Sequence, residues 1–386
     1  MKAKLLMVHG GGPTPVINAS LYGVINRAKK SLEIEGVYGA LFGTKGFLEG
    51  SFIRLDTLTE EELNRLLSTP GTAIGTSRTP LEQAEYETMA TMAKAHGFKY
   101  IIFNGGNGTM DTCGKLSRVA GEAMQVVGIP KTIDNDLASI DHSPGYGSAA
   151  RYVAGTVGEI IQDVKGMPIH VSIIETMGRN TGWIAAASSL GAEFGYQPDL
   201  IYFPERPFNE EAFLEDVLEI HKRKGGVVVV ASEGLVNSEG EPITQPIFTS
   251  GRATYFGDVG TYLAELVIKK LGIKSRSEKP GIAGRASTMW ASDIDRDEAV
   301  MLGEYAVELL LDGQSDVMVG LDRVAGSDYA VMKKVVPLKE VMMVEKTLDE
   351  QFINERGNYV TEAFIRYARP LIGSDLPRYA DLIKEG

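Results

Sequence analysis

Residues 131–136, Lys-Thr-Ile-Asp-Asn-Asp, place an amine, a hydroxyl and two carboxylates on one short stretch. Transfer of a phosphoryl group to an alcohol needs just these types: a carboxylate to take the hydroxyl proton, cationic charge against the moving group, and fixed donors around it. In an extended loop Asp134 and Asp136 project to the same side and Asn135 to the other. One carboxylate would serve as base while the other orients it or helps hold hydrated Mg²⁺. Lys131 supplies a point charge and Thr132 a short hydroxyl. An Asx-rich turn with solvated acids would use the same residues. A calcium loop would not, because its later ligand positions hold Ala138 and Ile140 and no turn glycine follows.

Such a loop must be held by regular elements, and the sequence supplies them. Short apolar runs recur at 4–8, 100–104, 125–129, 169–175, 200–204 and 226–232. They are continuous rather than alternating, which is how strands covered on both faces read. Helical patterns separate them: Thr59 and Glu62 have capping-box spacing, and a helix opening at Asn209 ends in Lys222, Arg223, Lys224 and Gly225. Strand alternating with helix predicts a doubly wound, mostly parallel α/β sheet with ligands beyond the carboxyl ends of the strands.

Two glycine-rich stretches follow predicted strands: His9-Gly-Gly-Gly-Pro-Thr-Pro15 and Asn104-Gly-Gly-Asn-Gly-Thr109. Without Cβ atoms, backbone N–H groups can converge on an anion. Either loop alone is explained by a tight strand-to-helix turn. Two on one sheet, with Arg78 in the intervening Gly-Thr-Ser-Arg as a phosphate partner, predict a polyphosphate site at the two loops. Neither loop has P-loop order and no G-x-G-x-x-G occurs, which disfavours an ordinary P-loop ATPase and a nicotinamide cofactor.

Composition narrows the class. The 386 residues carry 44% hydrophobic and 23% charged side chains with a net charge of −12, as expected of a soluble protein of two or three domains that binds neither nucleic acid nor membrane. One cysteine, Cys113, and no secretory leader pattern predict a cytoplasmic protein.

The stretches Gly-Ile-Pro-Lys-Thr-Ile-Asp-Asn-Asp-Leu (128–137), Asn-Gly-Gly-Asn-Gly-Thr (104–109), Glu-Thr-Met-Gly-Arg-Asn-Thr-Gly-Trp (175–183), Ala-Ser-Glu-Gly (231–234) and Ile-Asp-Arg-Asp-Glu-Ala (294–299), in this order, resemble the phosphofructokinase family of sugar-phosphate kinases. The resemblance implies two α/β/α sandwich domains with the active site in the cleft between them, and Mg²⁺-dependent transfer to the 1-hydroxyl of fructose 6-phosphate, giving fructose 1,6-bisphosphate. By position it implies Asp134 as base, Asp136 as its acidic neighbour, Thr132 as a sugar-phosphate and transition-state contact, and Asn107 with Asp134 at the metal. Met177, Gly178, Arg179 and Glu233 would hold the sugar, Arg285 and Arg296 its 6-phosphate, and Gly12 and Arg78, with Gly106, Asn107, Gly108 and Thr109, the phosphoryl donor. Part of the sugar site in the family comes from a neighbouring subunit, so a homodimer or homotetramer is expected. Residues 1–140 with about 250–300 would bind the donor, and about 141–249 with 301–386 the sugar.

The donor signal is split. Pyrophosphate-using members carry lysine at the Lys131 position, which favours pyrophosphate. They also place an aspartate at the Gly108 position, where it would repel an α-phosphate, and its absence leaves ATP open. The chain departs from the family pattern at three places: Asn107 replaces a metal-associated acid, His170 replaces a phosphate-binding arginine, and the first loop has Pro13 for an acid and Val16 for a glycine. Two further readings remain, a weakly active regulatory subunit and a lipid or nicotinamide-nucleotide kinase. Intact Asp134 and Asp136 oppose the first, and the downstream set Arg179, Glu233 and Arg285 opposes the second. The C-terminal stretch from Val335 to Gly373 reads as amphipathic and partly helical, serving packing or subunit contact with no chemistry of its own, and His9, His96, His142 and His221 read as structural or surface residues.

Overall fold

The computed structural model describes residues 3–250 and 253–383. Its strands in chain order are β1 (Ala3–His9), β2 (Ile34–Ala40), β3 (Phe52–Arg54), β4 (Phe98–Gly105), β5 (Gln125–Pro130), β6 (Val171–Thr176), β7 (Leu200–Tyr202), β8 (Val227–Ser232), β9 (Pro246–Ser250), β10 (Ala253–Phe256), β11 (Ser275–Glu278), β12 (Val317–Arg323) and β13 (Val331–Pro337). The chain divides into two compact units, Met1–Ser148 with Arg285–Lys346 and Ala149–Gly284 with Thr347–Gly386.

The first unit is built on a seven-stranded sheet in the order β13-β12-β5-β4-β1-β2-β3. Its five central strands are parallel, and β3 and β13 close the two edges in antiparallel fashion. The continuous apolar runs have a direct cause here. Leu5 and Met7 of β1 enter one core with Leu21, Ile25 and Leu302, while Leu6 and Val8 enter the opposite core with Met89, Met110 and Cys113. Each fully buried aliphatic side chain contributes roughly 1.5–3 kcal/mol, so both faces hold the strand ends in place. The second unit has a parallel four-stranded sheet in the order β11-β6-β8-β7, with Ile173, Val227 and Val229 packed on Phe213, Leu263 and Val267.

The predicted caps form. Thr59 and Glu62 make a reciprocal capping box on the helix Glu60–Arg65, and the Asn209 side chain caps Glu210–Lys224, which stops at Gly225. The sequence reading grouped residues 301–386 with the second domain. In the structure β12 and β13 extend the first unit's sheet through pairing of Val317 and Met318 with Val127 and Gly128, so residues up to Lys346 belong to the first unit, while residues 250–284, assigned from sequence to the donor domain, belong to the second, where β11 pairs with β6. Among the described residues, no helix is long and apolar enough to cross a membrane.

Candidate active site

In the first unit, three segments leave the carboxyl ends of neighbouring strands: residues 10–12 after β1, 105–109 after β4 and 131–136 after β5. Gly10 N–H donates to the Asn104 carbonyl at 2.9 Å, and Lys131 N–H to the Gly105 carbonyl at 3.0 Å, so each loop is fastened to the next. The buried side chain of Thr109 fills the gap between the first two loops: a Cβ on either Gly10 or Gly105 would collide with it, and only glycine allows that approach. Thr109 is therefore a packing element between the loops. Gly106 precedes the helix Asn107–Ala120 as its N-cap, and a Cβ on Gly108 would meet nothing within 4 Å.

Lys131 is buried, with its Nζ donating to the Gly10 carbonyl at 2.9 Å and to the Gly12 carbonyl. Burial, followed by the positive charge of Arg78, pushes its amine down to about 7. Arg78 and Arg285 meet at the first loop: their guanidinium nitrogens lie 3.1 and 3.0 Å from where a Gly12 Cβ would stand. The resemblance assigns Arg285 to a sugar phosphate, whereas here it sits beside Arg78 at the predicted donor loop. Three cationic groups thus converge on one glycine loop, an arrangement that an incoming anion would relieve.

The carboxylate loop is not extended throughout, as the sequence reading assumed. Asn135 has φ of +51°, a left-handed conformation that Asn tolerates, and its buried side-chain Oδ1 accepts from the Ser143 N–H at 3.0 Å. The predicted sidedness survives the kink: Ile133, Asn135 and Leu137 are buried, while Thr132, Asp134 and Asp136 are partly exposed. Thr132 Oγ1 accepts from the Asp134 N–H at 3.1 Å. Asn107 Nδ2 donates to Asp136 Oδ2 at 2.9 Å, and burial raises the Asp136 carboxyl above its usual range. Asn107 Oδ1 and Asp136 Oδ1 are both buried without a hydrogen-bond partner. Both are hard oxygen donors of the type Mg²⁺ takes, although among the described residues no group of three or more His, Cys, Asp or Glu stands close enough to hold a metal ion.

Arg296 lies on the helix Asp293–Leu311, half exposed, 3.9 Å from the Asp297 carboxylate at the outer limit of an ion pair. Its other neighbour Asp295 is occupied elsewhere, accepting from Gly145 N–H at 2.8 Å and Ser148 N–H at 2.9 Å.

In the second unit, β6, β8 and β11 end side by side. Met177, Gly178 and Arg179 follow β6, with Arg179 exposed. Gly178 has φ of +122°, and a Cβ there would strike the Thr181 carbonyl. Glu233 follows β8. Burial, then the charge of Glu175, raises its carboxyl above the usual range, while Lys279, the Gly178 N–H and Arg179 oppose that rise. His170 stands at the other end of β6, buried, with its ring pushed down first by burial and then by Arg276. It is therefore not beside Glu233 within this unit.

Sequence reasoning missed the group that surrounds Glu233. Lys279 Nζ lies 2.6 Å from the buried Glu175 and 2.6 Å from Asp258, and Glu175 also accepts from the Gly260 N–H at 2.8 Å. Burial opposes charge on Lys279, yet its bonds to Asp258 and Glu175 outweigh that and raise it to about 12. One signal was available: Glu175 is an acid inside a run otherwise buried on both faces. Nothing local marks Lys279.

Paired glycine loops, converging cations and a carboxylate loop at the ends of parallel strands define a phosphotransferase acting on a hydroxyl group. The chain belongs to the phosphofructokinase family, whose profile matches residues 4–310. It is 36% identical over 390 residues, 97% of this chain and 96% of the relative, to the pyrophosphate--fructose 6-phosphate 1-phosphotransferase of Rhodospirillum rubrum. It is 35% identical over 356 residues, 90% of this chain and 91% of the relative, to the sulfofructose kinase of Alkalicoccus urumqiensis. The pyrophosphate-dependent phosphofructokinase of Marinobacter aquaeolei superposes with a TM-score of 0.87 at 34% identity, covering 98% of this chain and 94% of that one.

Proposed function

We propose that the protein transfers a phosphoryl group from pyrophosphate to the 1-hydroxyl of fructose 6-phosphate, giving fructose 1,6-bisphosphate. The observation that carries this reading is Lys131, buried against the Gly10 and Gly12 carbonyls beside Arg78, Arg285 and Asp134, which fixes positive charge where a short, highly charged donor develops negative charge. Full-length similarity to relatives named for this reaction supports it.

In this reading Asp134 takes the proton from the sugar hydroxyl, and Asp136, held by Asn107, orients the loop and helps hold the hydrated Mg²⁺. Gly12, Gly106 and Gly108 leave room for phosphoryl oxygens, Thr109 keeps the loops together, and Arg78 and Arg285 pair with the oxygens of the anion at Gly12. Glu233, beside Gly178 and Arg179, accepts a sugar hydroxyl, Met177 packs on the ring, and Arg296 pairs with the 6-phosphate. Mg²⁺, held by Asn107, Asp134 and Asp136, would neutralise charge on the donor oxygens. A homodimer or homotetramer, with His170 contributing to a neighbouring copy's sugar site, belongs to the same proposal.

A second donor has one observation in its favour. The open space at Gly108 leaves room for an α-phosphate, as ATP requires. Turnover of fructose 6-phosphate with pyrophosphate and with ATP at matched Mg²⁺ tests the reading, with faster turnover expected from pyrophosphate. A clear preference for ATP overturns the donor assignment and keeps the acceptor. Preference for sulfofructose over fructose 6-phosphate overturns the acceptor. Sugar binding without turnover would identify a regulatory subunit instead.

A further inference from the structure

The loop from Asp134 to Ser143 contains two non-glycine residues in the left-handed region, Asn135 at φ +51° and Ser139 at φ +65°. Backbone of this kind persists only where its surroundings over-determine it. The fastening comes largely from chain beyond residue 310, where the match to the family profile ends. Leu137 forms an antiparallel bridge with Glu345, and Lys346 N–H donates to the Asp136 carbonyl at 2.8 Å. The Lys346 side chain then turns back to donate to the Asp141 carbonyl at 2.7 Å and the Ile140 carbonyl at 3.2 Å. A single residue therefore grips the loop at three carbonyls, the first of them belonging to Asp136.

The far end of the same loop is pinned by a second group. Asp141 N–H donates to the Leu321 carbonyl at 2.9 Å, and Arg323 reaches its carboxylate at 3.0 Å. The buried His142 ring lies between two acids, Nδ1 at 2.8 Å from Asp141 and Nε2 at 2.7 Å from Glu298, and Tyr329 donates its hydroxyl to the other Glu298 oxygen. A ring with a carboxylate at each nitrogen carries a proton on both. Burial opposes that charge, but the two acids outweigh it and raise His142 to about 9. Burial lowers the Lys346 amine to about 8. The charges of Asp141 and Asp136 oppose that fall only in part, so burying the ammonium carries a desolvation cost that an apolar side chain filling the space would not. Its directed hydrogen bonds fix geometry, which an apolar group cannot do.

We propose that Lys346 is a positioning residue for phosphoryl transfer: by gripping the carbonyls of Asp136, Ile140 and Asp141 it sets the reach of the Asp134 and Asp136 carboxylates, while His142 ties the loop's far end to the helix Asp293–Leu311. The C-terminal stretch, read from sequence as carrying no chemistry, thereby acts on the reaction. The proposal rests on the phosphotransferase reading above.

The test uses the full-length protein with Lys346→Met and Lys346→Arg, measuring kcat, both KM values, melting temperature and amide hydrogen exchange of peptides covering 131–143. Displacing a reacting group by about 1 Å costs up to roughly 100-fold, so Lys346→Met is expected to lower kcat about 10- to 100-fold, hold both KM values within about twofold, and speed exchange in this loop alone. Lys346→Arg, which keeps a multiple donor, recovers part of kcat. Unchanged kcat and exchange would overturn the proposal. So would a joint loss of kcat, KM and melting temperature, which is what mere packing predicts. If Lys346→Met does not fold, Tyr329→Phe removes one hydroxyl; a few-fold kcat loss with faster loop exchange supports the proposal, and no change in either sinks it. If the wild type turns over neither donor, the phosphotransferase reading fails by itself, and the exchange data still decide whether Lys346 holds the loop.

Discussion

The two units present opposite electrostatic arrangements at the ends of their sheets. At the first loop of the first unit, Lys131 is bonded to neutral carbonyls and Arg78 and Arg285 crowd the same glycine, and the carboxylates of Asp134 and Asp136 offset that positive charge at Lys131 only in part. At the end of β11 in the second unit, the Lys279 ammonium lies between Glu175 and Asp258, and the remaining acid is Glu233. The first arrangement favours an anion as ligand. The second is close to self-neutralised, and it presents a hydrogen-bond acceptor to a neutral hydroxyl. The difference teaches that a cation near a site indicates phosphate binding only where its counter-charges do not neutralise it.

The sharpest way to break this contrast is Asp134→Asn. General base contributions span about 10²–10⁴-fold, and a loss in that range in kcat, with the sugar KM little changed, is expected from steady-state kinetics. Next is Lys131→Met, which removes the unbalanced charge. A fall of roughly 100-fold in pyrophosphate turnover is expected, with the sugar KM again unmoved.

Lys279→Met probes the second unit through pH. Glu233 accepts a hydroxyl proton only when ionised, and its folded pKa lies above the ordinary glutamate value, so the sugar KM should rise as pH falls through that raised pKa. Lys279 lowers that pKa. Removing it moves the acid limb to higher pH, and a limb displaced by one unit raises the sugar KM roughly tenfold on the acid side. A limb that stays in place would mean that Lys279 does not act on Glu233. The smallest effect belongs to Gly108→Asp, where the added side chain enters open space: pyrophosphate turnover should hold within about twofold while any ATP turnover drops.

The strands of the sheet centres were legible because burial on both faces writes itself as an unbroken apolar run, as in Leu5 to Val8. Strands β2 and β13 were not. The edge strand β13 has exposed Met332, Lys333 and Val335 with Val336 its one buried residue, and the inner strand β2 is interrupted by Gly36 and Gly39, so neither carries that signature. The carboxylate loop was legible in its residue types and sidedness. Its left-handed kink at Asn135 was not, since Asn fits many loop conformations and the Ser143 bond that selects this one lies eight residues on. The Glu175–Lys279 pair and the grip of Lys346 on residues 136–141 join segments far apart in the chain, and no local pattern announces such partners.

Thr109, wedged between Gly10 and Gly105, makes the two glycine stretches mutually dependent. A bulkier residue introduced into one is felt by the other through the same methyl and hydroxyl, so neither can drift in shape while its companion stays fixed. Anyone exchanging the nucleotide-type loop of a relative into this scaffold would have to transplant both stretches and the threonine together.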